Sequence, residues 1–127
     1  MILFIDTSDY DLASLALISD KVISRRFASR NLSEVLLREI EKFCKKQKTT
    51  LRQIKKIAVV TGPGGFSRIR TAVATANALA FGLKIPVIAL SKLKIPEDLS
   101  QLKLLPAQKM AEPIYDKQPN ITMSKKR

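Results

Sequence analysis

Histidine is absent from this chain. That removes histidine-based zinc sites and histidine general bases from the chemistry open to it. A lone cysteine, Cys44, has no partner for an internal disulfide. It falls on the apolar side of a helical pattern and reads as a small core residue. Long apolar runs are missing too. Met1-Ile2-Leu3-Phe4-Ile5 is closed by Asp6, too soon for a signal peptide or a membrane span, so a cytoplasmic location is the default expectation. Acids are scarce: 11 Asp and Glu stand against 23 Lys and Arg, a formal charge of +12. The basic excess concentrates in residues 21–56, where 12 Lys and Arg meet only Glu34, Glu39 and Glu41. Two readings stay open for it, a solvated helix face or a surface for nucleic acid or an acidic protein. Aromatic residues do not interleave the basic ones as in a base-stacking platform.

Glycine is also scarce, and three of the four glycines share one stretch, Thr61-Gly62-Pro63-Gly64-Gly65-Phe66-Ser67-Arg68-Ile69-Arg70. The apolar run Ile57–Thr61 before it predicts a buried strand. The alanine-rich run after it predicts a helix from Ile69 to about Leu83, with Gly82 and Pro86 as stop signals. A tight strand–turn–helix junction follows, with a left-handed φ expected at Gly64 or Gly65. Such a junction aims amides and a helix N-terminus at one spot, which suits an anion or a partner's carboxylate. The spacing matches neither the P-loop nor the dinucleotide fingerprint, and a turn with only a packing role fits the glycines equally well.

Upstream, Ile2–Ile5 does not alternate and predicts a strand buried on both faces. Leu12–Ile18 and Val22–Ala28 continue it as an antiparallel meander. Asp6-Thr7-Ser8 opens a turn whose short polar side chains bond their own backbone. Asn31 is placed to cap a helix, with Glu34 completing a capping-box-like pair. Leu32, Val35, Leu36, Ile40, Phe43 and Cys44 form that helix's apolar face. Thr50 is placed to cap the single turn Leu51–Ile54. Val87–Leu90 makes a fifth strand, parallel to Ile57–Thr61 through the helical crossover. Beyond Ser91, Pro96 and Pro106 interrupt a leucine-containing stretch with room for a short helix over Glu97–Leu105. Pro113, Pro119 and Lys125-Lys126-Arg127 predict an extended tail.

This order of elements resembles the ribonuclease H-like lobe of the actin, hexokinase and heat-shock-protein ATPase superfamily: an α/β fold with a five-stranded mixed sheet. Asp6-Thr7-Ser8 resembles that superfamily's first phosphate loop. Thr61-Gly62-Pro63-Gly64 with Phe66, Arg70, Ala74-Thr75-Ala76, Leu79-Ala80 and Ile85-Pro86-Val87 is similar to the TsaB, or YeaZ, family. Ser33-Glu34 with Leu36-Leu37, and Ala111-Glu112-Pro113-Ile114-Tyr115, match that family's first-helix and C-terminal motifs. Leu32, Gly65 and Arg68 depart from it, standing where His, Ser and Gly are usual. The resemblance implies a lobe over residues 1–93, with residues 94–127 as a short remnant and basic tail in place of a second lobe.

The resemblance also implies a non-catalytic subunit that stabilises and activates TsaD in making threonylcarbamoyl-adenosine in tRNA, with TsaE reached through the complex. It implies pairing through the two helices, by Glu34, Leu37, Arg38 and Glu41 of the first and Arg70, Thr71, Ala74, Asn77 and Ala78 of the second. A homodimer through the same helices is the alternative pairing. Asp6, Thr7, Ser8, Gly62, Gly64, Gly65 and Arg70 form the candidate loop or anion-binding set, in which Arg70 either caps the loop's carbonyls or meets a partner carboxylate. No catalytic residue, metal ligand or cofactor is expected, and ATP binding by the chain alone is not expected. Enzymatic readings are less favoured. A nuclease of this fold needs several carboxylates around two metals, and a peptidase needs a nucleophile with its base. A stand-alone basic module touching tRNA through its cationic residues is the alternative outside the scaffold class.

Overall fold

The computed structural model describes residues 1–112. The tail residues Pro113, Pro119 and Lys125-Lys126-Arg127, and Pro113-Ile114-Tyr115 of the C-terminal motif, lie outside the described residues. In chain order the elements are β1 (Ile2–Asp6), β2 (Leu12–Ile18), β3 (Val22–Ala28), α1 (Leu32–Lys46), β4 (Lys56–Gly62), α2 (Phe66–Leu83) and β5 (Val87–Ser91), with 3-10 turns at Leu51–Gln53, Lys92–Lys94 and Leu99–Leu104. They build one mixed sheet of order β3-β2-β1-β4-β5. β1 lies at its centre, antiparallel to β2 and parallel to β4. Its unbroken apolar run follows from that position, because both faces of a central strand are covered. β2 alternates: Ala13, Leu15 and Leu17 enter one core, Ala16 and Ile18 the other. β3 is an edge strand and is mostly exposed.

Both helices lie on the face that carries Leu3, Ile5, Ile57 and Val59. α1 buries Leu32, Leu36, Ile40, Phe43 and Cys44 there. Burial pushes the Cys44 thiol pKa up, in keeping with an unreactive core cysteine. α2 buries Ile69, Ala72, Val73, Ala76 and Ala80, and the three alanines among them let its axis approach the sheet closely.

Several local expectations change. Asn31 precedes α1 but makes no side-chain cap. Its amide instead donates to Glu34 Oε2 at 3.3 Å, while Glu34 N–H reaches the Asn31 carbonyl at 2.9 Å. α2 begins three residues before Ile69, because Phe66, Ser67 and Arg68 continue the helical turn directly from the glycine junction. Gly82 stays inside α2, and Lys84 takes the left-handed terminal position with φ 58°.

The second face of the sheet is covered by the segment after β5. Ile2, Phe4, Ile18, Ala58, Val60, Ile88 and Leu90 form its core with Leu102, and Ile95, Leu99 and Leu105 pack against them. The stretch expected as a helix over Glu97–Leu105 is a 3-10 turn bracketed by the two prolines. Asp98 caps it, accepting from Ser100 N–H at 3.0 Å and Ser100 Oγ–H at 2.7 Å. Those bonds hold the Asp98 carboxyl below the usual carboxylate range. Gln108 then pairs with Val87 through two backbone bonds, 2.6 and 2.7 Å, at the far edge of the sheet.

Leu102 is fully buried whereas Leu104 is 83% exposed. Leu102→Ala is expected to cost about 2–5 kcal/mol, as a large-to-small core change. Leu104→Ala is expected to stay within about 0.5 kcal/mol. Urea denaturation of the two variants checks this, and equal midpoints would show that the segment does not roof the sheet.

Candidate functional site

Two loops leave the carboxyl ends of neighbouring parallel strands and therefore meet: Asp6–Asp11 after β1, and the glycine junction after β4. In open α/β sheets this is where ligands gather. The first loop is organised by its own side chains. Asp6 Oδ1 accepts from Ser8 N–H at 2.9 Å and from Ser8 Oγ–H at 2.6 Å. Thr7 and Ser8 are buried, and Thr7 Oγ1 donates to the Arg68 carbonyl at 2.9 Å.

The left-handed glycine is Gly62, φ 123°, at the end of β4; neither Gly64 nor Gly65 takes a positive φ. It coincides with a register shift of β4 on β5 between Val60 and Gly62, which leaves Thr61 as the extra residue. Gly64 is needed for proximity instead. A Cβ there would stand 3.0 Å from Ser8 Cα and 3.1 Å from Ile69 Cδ1. At Gly65 a Cβ meets nothing nearer than 3.7 Å, and φ is −62°.

The guanidinium that closes the loop belongs to Arg68. Its Nε donates to the carbonyls of Asp9 (2.9 Å) and Thr7 (3.4 Å), and its Nη1 to the carbonyl of Ser29 (2.8 Å). One side chain thus joins the first turn of α2 to the β1–β2 loop and to the β3–α1 connection. Nη2 is enclosed without an acceptor among the described residues. Arg70, expected to cap these carbonyls, points away: it is exposed and lies over the Phe66 ring at 5.2 Å. The geometry explains the exchange. Position 68 lies one residue before the buried Ile69, on the flank of α2 that meets the loops, whereas position 70 faces outward.

Lys92, just after β5, reaches the same place. Its ammonium donates to Ser8 Oγ at 2.7 Å and to Asp9 Oδ1 at 3.0 Å. Asp9 also faces Arg26 at 3.7 Å. These exposed pairs contribute little each. Arg68 carried one visible signal, its departure from the glycine usual in the similar family. Lys92 carried none, since 84 residues separate it from Ser8.

The helix residues expected to meet a partner fall on two outer faces. Glu34, Leu37, Arg38 and Glu41 are all exposed on α1. On α2, Arg70, Ala74 and Ala78 are exposed and Thr71 half-buried, and a groove of about 310 Å³ is lined by Ser67, Arg70, Thr71 and Ala74. Asn77 is engaged within the chain: its amide donates to the Ala111 carbonyl at 2.9 Å and accepts the Ala111 N–H at 2.8 Å. A second open cleft, about 640 Å³, runs along β5 between Thr61, Ser91, Lys94 and Gln108. Among the described residues no group of three or more metal-ligating side chains converges, and no helix is long and apolar enough to cross a membrane.

The mixed sheet, its two helices and the paired loops define a ribonuclease H-like α/β lobe. The family model described as "TsaD: tRNA N6-adenosine threonylcarbamoyltransferase" matches residues 16–97. The chain is 36% identical over 99 residues to the tRNA threonylcarbamoyladenosine biosynthesis protein TsaB of Buchnera aphidicola subsp. Schizaphis graminum, covering 75% of this chain and 46% of that protein. It is 33% identical over 95 residues to the Bacillus subtilis protein of the same name, covering 73% and 42%. The solved structure of YeaZ from Pseudomonas aeruginosa superposes with a TM-score of 0.68 at 31% identity, covering 74% of this chain and 45% of that one. The chain belongs to the TsaB, or YeaZ, family. It spans less than half the length of the curated relatives it matches.

Arg68→Met is expected to destabilise the lobe by about 1–3 kcal/mol, since it leaves part-buried carbonyls without their donor. Gly64→Val should cost a comparable amount through the clash with Ser8. Arg70→Ala and Gly65→Ala should each stay within about 0.5 kcal/mol. Thermal melts of the four proteins check the ranking; a larger loss at Arg70 than at Arg68 would reverse the assignment.

Proposed function

We propose that this lobe is a non-catalytic subunit that binds and activates TsaD in the formation of threonylcarbamoyl-adenosine in tRNA, working in the cytoplasm, with TsaE joining through the complex. The observation that carries this reading is the outer face of α2. Phe66, Arg70, Ala74 and Ala78 recur at four-residue spacing and are all exposed, so one stripe of the helix offers two small alanines beside the stacked Phe66–Arg70 pair to a neighbour. Leu37, 48% exposed, adds an apolar side chain on the outer face of α1. Small residues permit a second helix to approach closely, and ridges packed into grooves need that approach. The family membership supplies the choice of TsaD as partner. A second copy of the chain is the alternative occupant of the same stripe.

The loop pair supports the non-catalytic part of the reading. Asp6, Thr7 and Ser8 direct their polar atoms at one another, at α2 and at Lys92. The side chains that would otherwise meet a phosphate or its metal ion are engaged in holding the junction together. We therefore propose that ATP binds this chain weakly and is not hydrolysed by it.

Ala74→Glu and Ala78→Arg are expected to abolish association while leaving circular dichroism unchanged, whereas Ala78→Ser should retain it. Size-exclusion chromatography with light scattering, on the chain alone and mixed with TsaD, reads the outcome. Persistent complex formation by both charged variants would place the interface elsewhere. Magnesium-dependent ATP hydrolysis by the purified chain, lost in Asp6→Ala, would overturn the non-catalytic reading.

A further inference from the structure

The fold leaves a cationic excess at one end of the lobe. At the end that carries the paired loops, Asp6, Asp9, Asp11 and Glu34 stand beside Arg26, Arg68, Arg70 and Lys92, whereas at the opposite end Asp20, in the β2–β3 turn, faces a larger set of cations. The opposite end collects the start of β1, the β2–β3 turn, the starts of β4 and β5 and the C-terminal ends of both helices. The pairings Ile2↔Ile18, Ile2↔Lys56 and Ile57↔Val87 place these elements together. Lys45, Lys46, Lys48, Arg52, Lys55 and Lys84 project there and are exposed. The ion pairs among the described residues involve none of them.

The negative ends of helix dipoles favour lysine in a last turn, which accounts for Lys45, Lys46 and Lys84. It does not account for Arg52 and Lys55, which sit in the 3-10 turn and in the approach to β4. Nor does a dipole preference explain why a side chain with a Cβ stands at Lys48 and Lys84, the two left-handed non-glycine positions among the described residues, φ 56° and 58°. Such helix ends favour glycine, and at both of them the chain keeps a cation. Beside them Phe81, on the last turns of α2 one turn before Lys84, is 84% exposed. An exposed aromatic ring therefore stands one helical turn from Lys84, at the same end of α2.

We propose that this end of the lobe is a contact surface for the phosphate backbone of RNA, with Phe81 placed to stack on an unpaired base. Cations spread over several elements suit a string of phosphates, each neutralised separately. An exposed ring beside them suits a base face. The choice of RNA over another polyanion rests on the tRNA-modification reading above; the charge segregation itself does not.

The test is fluorescence anisotropy of the full chain with unmodified tRNA over a series of salt concentrations. Arg52→Glu with Lys55→Glu should weaken binding at least tenfold, and should reduce the slope of log affinity against log salt by about 1–2, the loss of two phosphate contacts. Arg52→Gln with Lys55→Gln should act in the same direction and guards against misfolding of the charge-reversed protein. Phe81→Ala should weaken binding several-fold with the slope retained. Lys94→Glu with Lys103→Glu, exposed on the other side of the molecule, makes the same change in net charge and should leave affinity within about twofold if position rather than total charge matters.

Equal losses in the two charge-reversed pairs would overturn the proposal, as would unchanged affinity in the Gln pair or in Phe81→Ala. Binding to poly-glutamate as tight as to tRNA would overturn the assignment to RNA. Association with TsaD, measured on the same variants, separates the two ideas. Its absence from the parent sinks the scaffold reading, while the anisotropy series still decides the basic surface.

Discussion

Arg68 connects three backbone junctions that no other side chain among the described residues brings together. Its donors reach carbonyls in the β1–β2 loop and in the β3–α1 connection, while its own carbonyl receives Thr7. Hydrogen bonds from a charged donor are stronger than neutral ones, and here they satisfy carbonyls that lie partly out of water. The close approach of Gly64 to Ser8 depends on the same arrangement, since it sets how near the start of α2 stands to the first loop. The direction of α2 follows, and with it the orientation of its exposed face.

That face and the sheet impose opposite demands on one helix. The inner positions Ile69, Ala72, Val73, Ala76 and Ala80 must lie close to β1 and β4. The outer positions Ala74 and Ala78 are exposed, and in the proposed pairing they leave room for a neighbour. Alanine at both sets gives a thin helix that has high intrinsic propensity and so needs little side-chain packing to stay helical. The helix contributes less buried apolar area than a leucine-rich one would. The rest of the core compensates through β1, β2 and β4, together with α1 on one face and Leu102 on the other.

Charge is distributed by the same topology. The parallel strands β1, β4 and β5 and the helices that precede or join them put their strand starts and helix ends on one side of the molecule. Lysines dispersed over residues 45–84 are thereby gathered into one region, while the acidic loop residues face the other way.

Much of this was legible in the chain itself. The unbroken run of β1, the 3, 4, 7 spacing of α1, and the meander followed by a parallel crossover all depend on local periodicity and short connections, which sequence carries directly. The glycine-rich stretch marked the site for the same reason. What the sequence did not carry were contacts between residues distant along the chain. Arg68 and Arg70 differ by two positions, and only the rotation of α2 against the loops decides that the first is enclosed and the second faces out. The left-handed glycine is Gly62, where β4 shifts register on β5, and such a shift is a property of the strand pair and not of one strand. Lys92 at Ser8 and Asn77 at Ala111 were likewise set only when the sheet order brought the elements together. Periodicity determines which face of each element is buried; the packing of one element on another determines which side chains meet.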